Sequence, residues 1–314
     1  MRTREQEVEP LINLSEITEV ELLILKRMRE FTIGEHASMF HGTGFDFVGL
    51  RDWQAGDRFE HIDWAQSSLN NFSPMVIREF EQPTTSGVIM VADRSASTRC
   101  GANGGNADNR GMQIATLIAR AIATVGMSAV FFQDSIGLLT FDEGFHQLGA
   151  VRPRIGKGQV IHCLEAYQNG FGLQDLKNSG SLSATLTGFS RKTAMMPVIS
   201  DFLFDEAPDL LADLRKVNNV HDVFVMLVDA SFAFELPKVS AGWVEVYDVE
   251  TGRTRMMSRR ELSKQSERVK AWQDDIARQA KANDLDVIRL LVDQVKFDVS
   301  LIEWVAERRL RRRK

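Results

Sequence analysis

From residue 87 onward the chain alternates short apolar runs with longer amphipathic stretches. The runs Val88–Ala92, Ile136–Phe141, Met195–Ile199, Val223–Val228 and Val287–Val292 read as strands. Between them, helical periodicity covers residues 112–132, 157–169, 181–192, 206–217 and 259–283. Strands that are apolar on both faces, separated by helices, predict a parallel sheet covered on both sides. The N-terminal part follows a different pattern. Ser15 to Phe31 reads as a helix, with Ser15 as cap and Ile17, Val20 and Leu22–Leu25 as its apolar side. Residues 32–86 are rich in Gly, Asp and aromatics, the composition of turns and short strands. The expected organisation is a segment over 1–86, the α/β domain over 87–300 and a basic helix end over 301–314.

Composition narrows the class. The 314 residues are 44% hydrophobic and 26% charged, which excludes collagen-like and largely disordered chains. No run approaches the ~18 apolar residues that a membrane span needs, and the first residues lack a signal peptide's apolar stretch. Two cysteines, Cys100 and Cys163, are too few for a disulfide framework, so the expected setting is the reducing cytoplasm. The net charge of −5 is unevenly spread: residues 305–314 carry +5 and the rest −10. So acidic a body is a poor nucleic-acid surface. The basic tail reads first as cations favouring the negative end of a helix, and second as a contact for nucleic acid or an anionic membrane.

Candidate chemistry gathers at strand ends. The run Val88–Ala92 passes directly into Asp93-Arg-Ser95-Ala-Ser97, and Met195–Ile199 into Ser200-Asp201. Ligands of open α/β sheets lie beyond the carboxyl ends of strands. Gly180-Ser181-Leu182 opens a helix and offers a third hydroxyl. Singly, Ser97 and Ser181 read as helix caps and Asp201 as a turn residue. Together, two carboxylates and three hydroxyls on one sheet edge form a hard oxygen set suited to Mg²⁺ or Mn²⁺.

Asp-x-Ser-x-Ser after a strand, a later hydroxyl and a later strand-end Asp resemble the metal-ion-dependent adhesion site of von Willebrand factor type A domains. A second signature runs Gly42-Thr-Gly44-Phe-Asp46-Phe47-x-x-Leu-Arg51-Asp-Trp53-Gln-x-Gly56-Asp57, then Ile62-Asp63-Trp64 and Arg78-Glu79-Phe80-Glu81. With Gly137–Phe141, Ser200–Phe202, His221-Asp222, Glu235–Pro237 and Asp248–Gly252, it resembles bacterial proteins catalogued as domain of unknown function fifty-eight, over residues 25–310. The resemblance implies a type A-like (Rossmann-like), mostly parallel α/β sheet with helices on both faces and a small N-terminal segment. It implies a metal held by Asp93, Ser95, Ser97, Ser181 and Asp201, with an open position for a carboxylate of a client protein. It further implies a non-enzymatic adaptor working with a MoxR-type AAA+ ATPase.

Three departures mark this chain. Thr98 replaces the usual Met, and Arg99–Gly111 is a polar insertion, expected to form a mobile lip beside the metal. Around Trp64, the chain has Glu60, Ala65 and Leu69 where relatives are basic. In the 42–64 segment, Phe47, Trp53 and Trp64 read as packing residues. Arg51, Asp57 and Asp63 read as a buried ion network, with a docking surface as the other use of the segment.

Other chemistries fit less well. The six histidines show no His-Glu-x-x-His spacing, and no Gly-x-Ser-x-Gly elbow is present. Gly101-Ala-Asn-Gly-Gly-Asn lacks the Lys-Ser/Thr ending of a phosphate loop. His221 reads as a structural histidine and Cys100 as an ordinary thiol. The alternative from another class is a metal-dependent phosphohydrolase using the same carboxylates.

Overall fold

The structure, a computed structural model, describes residues 10–33, 46–54, 57, 59, 62–81, 87–102, 112–142, 147–176, 182–190, 192–234, 243–247, 253–291 and 294–311. Contacts divide the chain into two units, Lys26–Thr85 and the remainder, Met1–Leu25 with Ser86–Lys314. Helix α1 (Leu14–Ile33) begins in the larger unit and ends in the smaller. Its cap is Asn13 rather than the expected Ser15. The Asn13 side chain accepts from Glu16 N at 2.8 Å, and the Glu16 carboxylate accepts from Asn13 N at 2.7 Å. This reciprocal pair satisfies two otherwise orphaned amides.

In the smaller unit, β1 (Asp46–Asp52) pairs antiparallel with β2 (Val76–Glu81), and α2 (Trp64–Leu69) lies between them in sequence. The expected ion network is smaller and less buried than its residues implied. Arg51 grips Asp57 with two bonds of 2.8 Å, both side chains half-buried, while Asp63 caps α2 by accepting from Ala65 N and Gln66 N. Trp53 stacks on Phe59, ring centroids 5.9 Å apart. Trp64, expected to pack, is 59% exposed. The Phe47 side chain lies outside the described residues.

The larger unit is built from β3 (Gly87–Asp93), β4 (Gly101–Ala102), β5 (Met112–Gln113), α3 (Ile114–Phe131), β6 (Ser135–Phe141), β7 (Gly149–Arg154), α4 (Lys157–Asn169), β8 (Gln174–Asp175), α5 (Leu182–Phe189), β9 (Ala194–Ser200), α6 (Ala207–Asn218), β10 (Asp222–Val228), β11 (Trp243–Tyr247), β12 (Thr254–Ser258), α7 (Arg259–Ala282), β13 (Asp286–Leu290) and α8 (Gln294–Arg311). Seven strands form one sheet in the order β13-β10-β9-β3-β6-β7-β8. The five predicted strands are the parallel ones; β7 and β8 extend one edge antiparallel. Sequence reading missed both. β7 is apolar only in its first half, and β8 has two exposed residues.

The central strands β3, β9 and β10 are buried throughout except at Gly87, as strands covered on both faces must be. One face packs Ile89, Val91, Val198 and Val225 against Leu186, Leu210, Leu214 and Ile276 of α5, α6 and α7. The other is covered by α3, α4 and α8. Contrary to the composition argument, α3 is long and apolar enough to cross a membrane by those two criteria, with mean hydropathy 1.8. Here it is a core helix, buried from Ile114 to Ala129 apart from Thr116. Its one charge, Arg120, meets Asp298 of α8 with bonds of 2.6, 3.1 and 3.2 Å, and Thr124 adds a fourth at 3.2 Å.

At the amino ends of the strands, His221 Nδ1 accepts from Ala194 N at 3.3 Å, the structural use expected of it. Arg308 of α8 donates to Asp222 at 2.6 and 3.0 Å and pairs with Asp286. Its guanidinium also lies over Phe224 and Trp304, 4.9 and 4.8 Å from the ring centroids. At least this arginine of the basic C-terminal run therefore acts through specific partners and not only through the helix dipole.

Candidate metal centre

β3 and β9 are neighbours, and the chain leaves them toward opposite sides of the sheet: β3 to β6, β9 to β10. That is a topological switch point, where helices diverge and leave a crevice at the carboxyl ends. Ala92 pairs with Ile199, so Asp93 and Ser200 end the two strands side by side. The Ser200 hydroxyl donates to Asp93 Oδ2, and Ser95 N donates to Oδ1 at 2.7 Å. Tyr167, from α4, donates its phenol to the Asp93 main-chain oxygen at 3.0 Å. Burial keeps that phenol well above its usual range, so it remains a donor.

After Asp93 the chain turns through a single 3₁₀ turn, Ala96–Arg99. Thr98 Oγ1 donates to the Ser95 carbonyl at 2.7 Å, which ties the loop down from within. Ser97 caps no helix. Its hydroxyl lies 2.9 Å from Ser95 Oγ and donates to Asp201 Oδ1 at 3.2 Å. Asp201 Oδ1 also accepts from Leu203 N at 3.1 Å, so its turn role and its place in the cluster coexist.

α7 supports the second loop from below. Gln273 donates to the carbonyls of Asp201 and Val228 at 2.9 and 2.7 Å, and Trp272 donates to that of Phe202 at 2.7 Å. Phe202 sits at φ 54°, a left-handed conformation costly for a bulky residue. The bond to Trp272 and a second, from its own amide to Ser200 Oγ at 2.8 Å, hold it there.

Four predicted site residues, Asp93, Ser95, Ser97 and Asp201, thus form one hydrogen-bonded cluster. Ser181 lies outside the described residues, as do 103–111 of the insertion, whose base is closed by β4 pairing with β5. Sequence reasoning passed over Ser200, Tyr167 and Gln273. Ser200 was visible as a hydroxyl at a strand end. The other two sit on helices, with no local signal that they point at the switch point.

The electrostatics are unbalanced. Asp93 and Asp201 are wholly buried. Burial and, next, the Asp93 charge push the Asp201 carboxyl from 3.8 up to about 7. Asp201 Oδ2 is buried and, among the described residues, has no hydrogen-bond partner. Among the described residues no three His, Cys, Asp or Glu side chains converge. The donor set is therefore two carboxylates and hydroxyls, hard oxygens fit for Mg²⁺ or Mn²⁺ with water filling the remaining positions. Oδ2 is an acceptor that no described donor engages.

Fold and site define an α/β protein with a mostly parallel seven-stranded sheet and two buried carboxylates among hydroxyls at its switch point. The chain belongs to the family described as Protein of unknown function DUF58, whose model matches residues 49–281. No curated protein matches it. Among solved structures it is similar to the pilus adhesin SpaC from Lactobacillus rhamnosus GG, at 11% identity and TM-score 0.35, over 72% of this chain and 30% of that one. It is similar too to an uncharacterized membrane spanning protein from Vibrio fischeri, at 13% identity and TM-score 0.24, over 70% of this chain and 96% of that one. The chain thus spans less than a third of the adhesin's length.

Proposed function

We propose that the protein is a non-enzymatic adaptor that binds other proteins through a divalent cation, Mg²⁺ or Mn²⁺. Asp93, Ser95, Ser97 and Asp201 would hold the ion, with Ser181 as a further hydroxyl. One observation carries this reading: Asp201 Oδ2 is buried, without a hydrogen-bond partner among the described residues, beside a second buried carboxylate. Two buried acids without a cation are costly, and a divalent ion removes the cost. Bound there, the ion supplies a coordination position for a carboxylate of a client protein. The serine hydroxyls and loop amides orient the two acids toward it; Tyr167 and Gln273 fix the strand ends that carry them.

The sheet order supports a von Willebrand factor type A-like fold. β3 is central, β6 and β9 are its parallel neighbours, and β7 runs antiparallel beyond β6. The family resemblance supplies the expected partner, a MoxR-type AAA+ ATPase. A phosphohydrolase on the same carboxylates needs a general base beside them. The hydrogen bonds described at Asp93 and Asp201 come from hydroxyls and amides, which favours the adaptor.

Thermal melting with and without Mg²⁺ or Mn²⁺ tests the site. Saturation at a hundred times Kd stabilises by about 2.7 kcal/mol, or roughly 5–10 °C for a domain of this size. Asp93→Ala and Asp201→Ala are expected to lose the shift. Equal shifts in all three proteins would remove the site from consideration.

A further inference from the structure

The segment between β10 and the body of α7 has no part in the cluster, and its chemistry differs from the rest of the chain. β11 and β12 form a two-stranded antiparallel hairpin that leads straight into α7. Glu245 pairs with Met256 and Tyr247 with Thr254, so Trp243, Glu245, Tyr247 and Met256 share one face of the pleat. Trp243 and Tyr247 are each 62% exposed and Met256 57%. Three large side chains of the types that anchor interfaces thus stand in a row in solvent.

The charge beside them is equally distinctive. Residues 253–264 hold Arg253, Arg255, Arg259, Arg260 and Lys264 against one acid, Glu261, a net +4 in a chain of net −5. The four arginines are exposed and make no salt bridge among the described residues. Arg120, Arg215, Arg278, Arg289 and Arg308 of this unit each meet an aspartate, whereas Arg94, Arg99, Arg152, Arg154 and Arg268 are exposed and unbridged among the described residues too; what sets the arm apart is four such arginines within eight residues. Glu261 is engaged in the capping box with Ser258, and those bonds hold its carboxyl below the usual range. Arg259 and Arg260 occupy the first two positions of α7, where positive charge opposes the helix dipole. Helix stability therefore does not account for them.

The arm lies at the sheet's functional end. Gln273, level with the carboxyl ends of β9 and β10, is fourteen residues into α7. At 1.5 Å per residue the helix start lies about 21 Å further along its axis. We infer that this arm is a docking surface for an acidic protein segment carrying apolar side chains. Its apolar side chains would cover Trp243, Tyr247 and Met256 and its carboxylates would meet Arg259 and Arg260 at the start of α7, while Arg255, opposite Val246 on the other face of the pleat, and Arg253 add to the attraction at longer range. The acidity of the remaining chain and Glu245 within the face disfavour a nucleic acid.

Fluorescence anisotropy of the full chain in EDTA provides the test. The probe is a short labelled peptide alternating Asp or Glu with Leu or Phe, beside its lysine counterpart and labelled oligo-dT. The acidic peptide is expected to bind saturably, more weakly as salt rises. Arg255→Glu with Arg259→Glu and Arg260→Glu is expected to weaken it by about tenfold or more, and Trp243→Ala several-fold. Single Arg→Gln variants, which keep the melting temperature, should give graded losses. Asp93→Ala should bind as the parent does, which separates the arm from the metal reading. The inference is overturned by absence of saturable binding, equal binding of the charge-reversed protein, or stronger binding of oligo-dT or the lysine peptide. It is also overturned by dependence on Asp93 and Mg²⁺, or by a dimer in sedimentation that the charge reversal dissolves.

Discussion

Two buried acidic places in the larger unit are built on opposite principles. Between α3 and α8, Asp298 receives the guanidinium of Arg120 and the hydroxyl of Thr124, so charge and hydrogen bonding are both answered. At the switch point, Asp93 and Asp201 receive hydroxyls and amides, and one Asp201 oxygen receives no hydrogen bond from the described residues. The first arrangement completes itself within the chain. The second leaves an acceptor open among the described residues, and that contrast is what makes it a candidate site.

The widest test of the contrast breaks the self-sufficient pair. Asp298→Ala leaves Arg120 charged and buried, and is expected to cost about 3–5 kcal/mol in urea unfolding. Replacing both partners together with apolar residues of similar volume should recover most of it. A second test uses pH on the metal-free protein. Folded Asp201 holds its proton to about pH 7, against 3.8 for the ordinary carboxyl. Between those values the folded state binds the extra proton, so this stabilising contribution is full below about pH 4 and is lost as pH rises through 7. The expected fall is roughly 4 kcal/mol, flattened in Asp201→Asn, while saturating Mg²⁺ is expected to remove the loss by taking the proton's place. A smaller effect should follow Gln273→Leu, which leaves the Asp201 and Val228 carbonyls unanswered. About 2 kcal/mol is expected, with weaker Mg²⁺ binding as a second readout.

The sequence made the parallel core legible because burial on both faces writes itself as apolar runs such as Val88–Ala92 and Val223–Val228. It was silent on β7 and β8, where an edge strand needs only part of one face apolar. Asp93 and Asp201 could be found because strand ends are punctuated by polar residues. Tyr167 and Gln273 could not, since a helix shows its inner face but not which loop that face supports. The caps show the same limit: Asn13 and Ser15 are both good caps by composition, and only the Glu16 carboxylate decides between them. Trp64, large and aromatic, reads as core, yet burial depends on the surrounding surface and not on the residue alone.

The clasp of α3 has a consequence for biosynthesis. Arg120 and Asp298 are 178 residues apart. A ribosome therefore finishes the apolar rod long before its counter-ion has been translated. Until then a guanidinium stands midway along a helix that otherwise wants to leave water, and closing the core early would strand it. Burial of the rod's charge is thus tied to the arrival of α8.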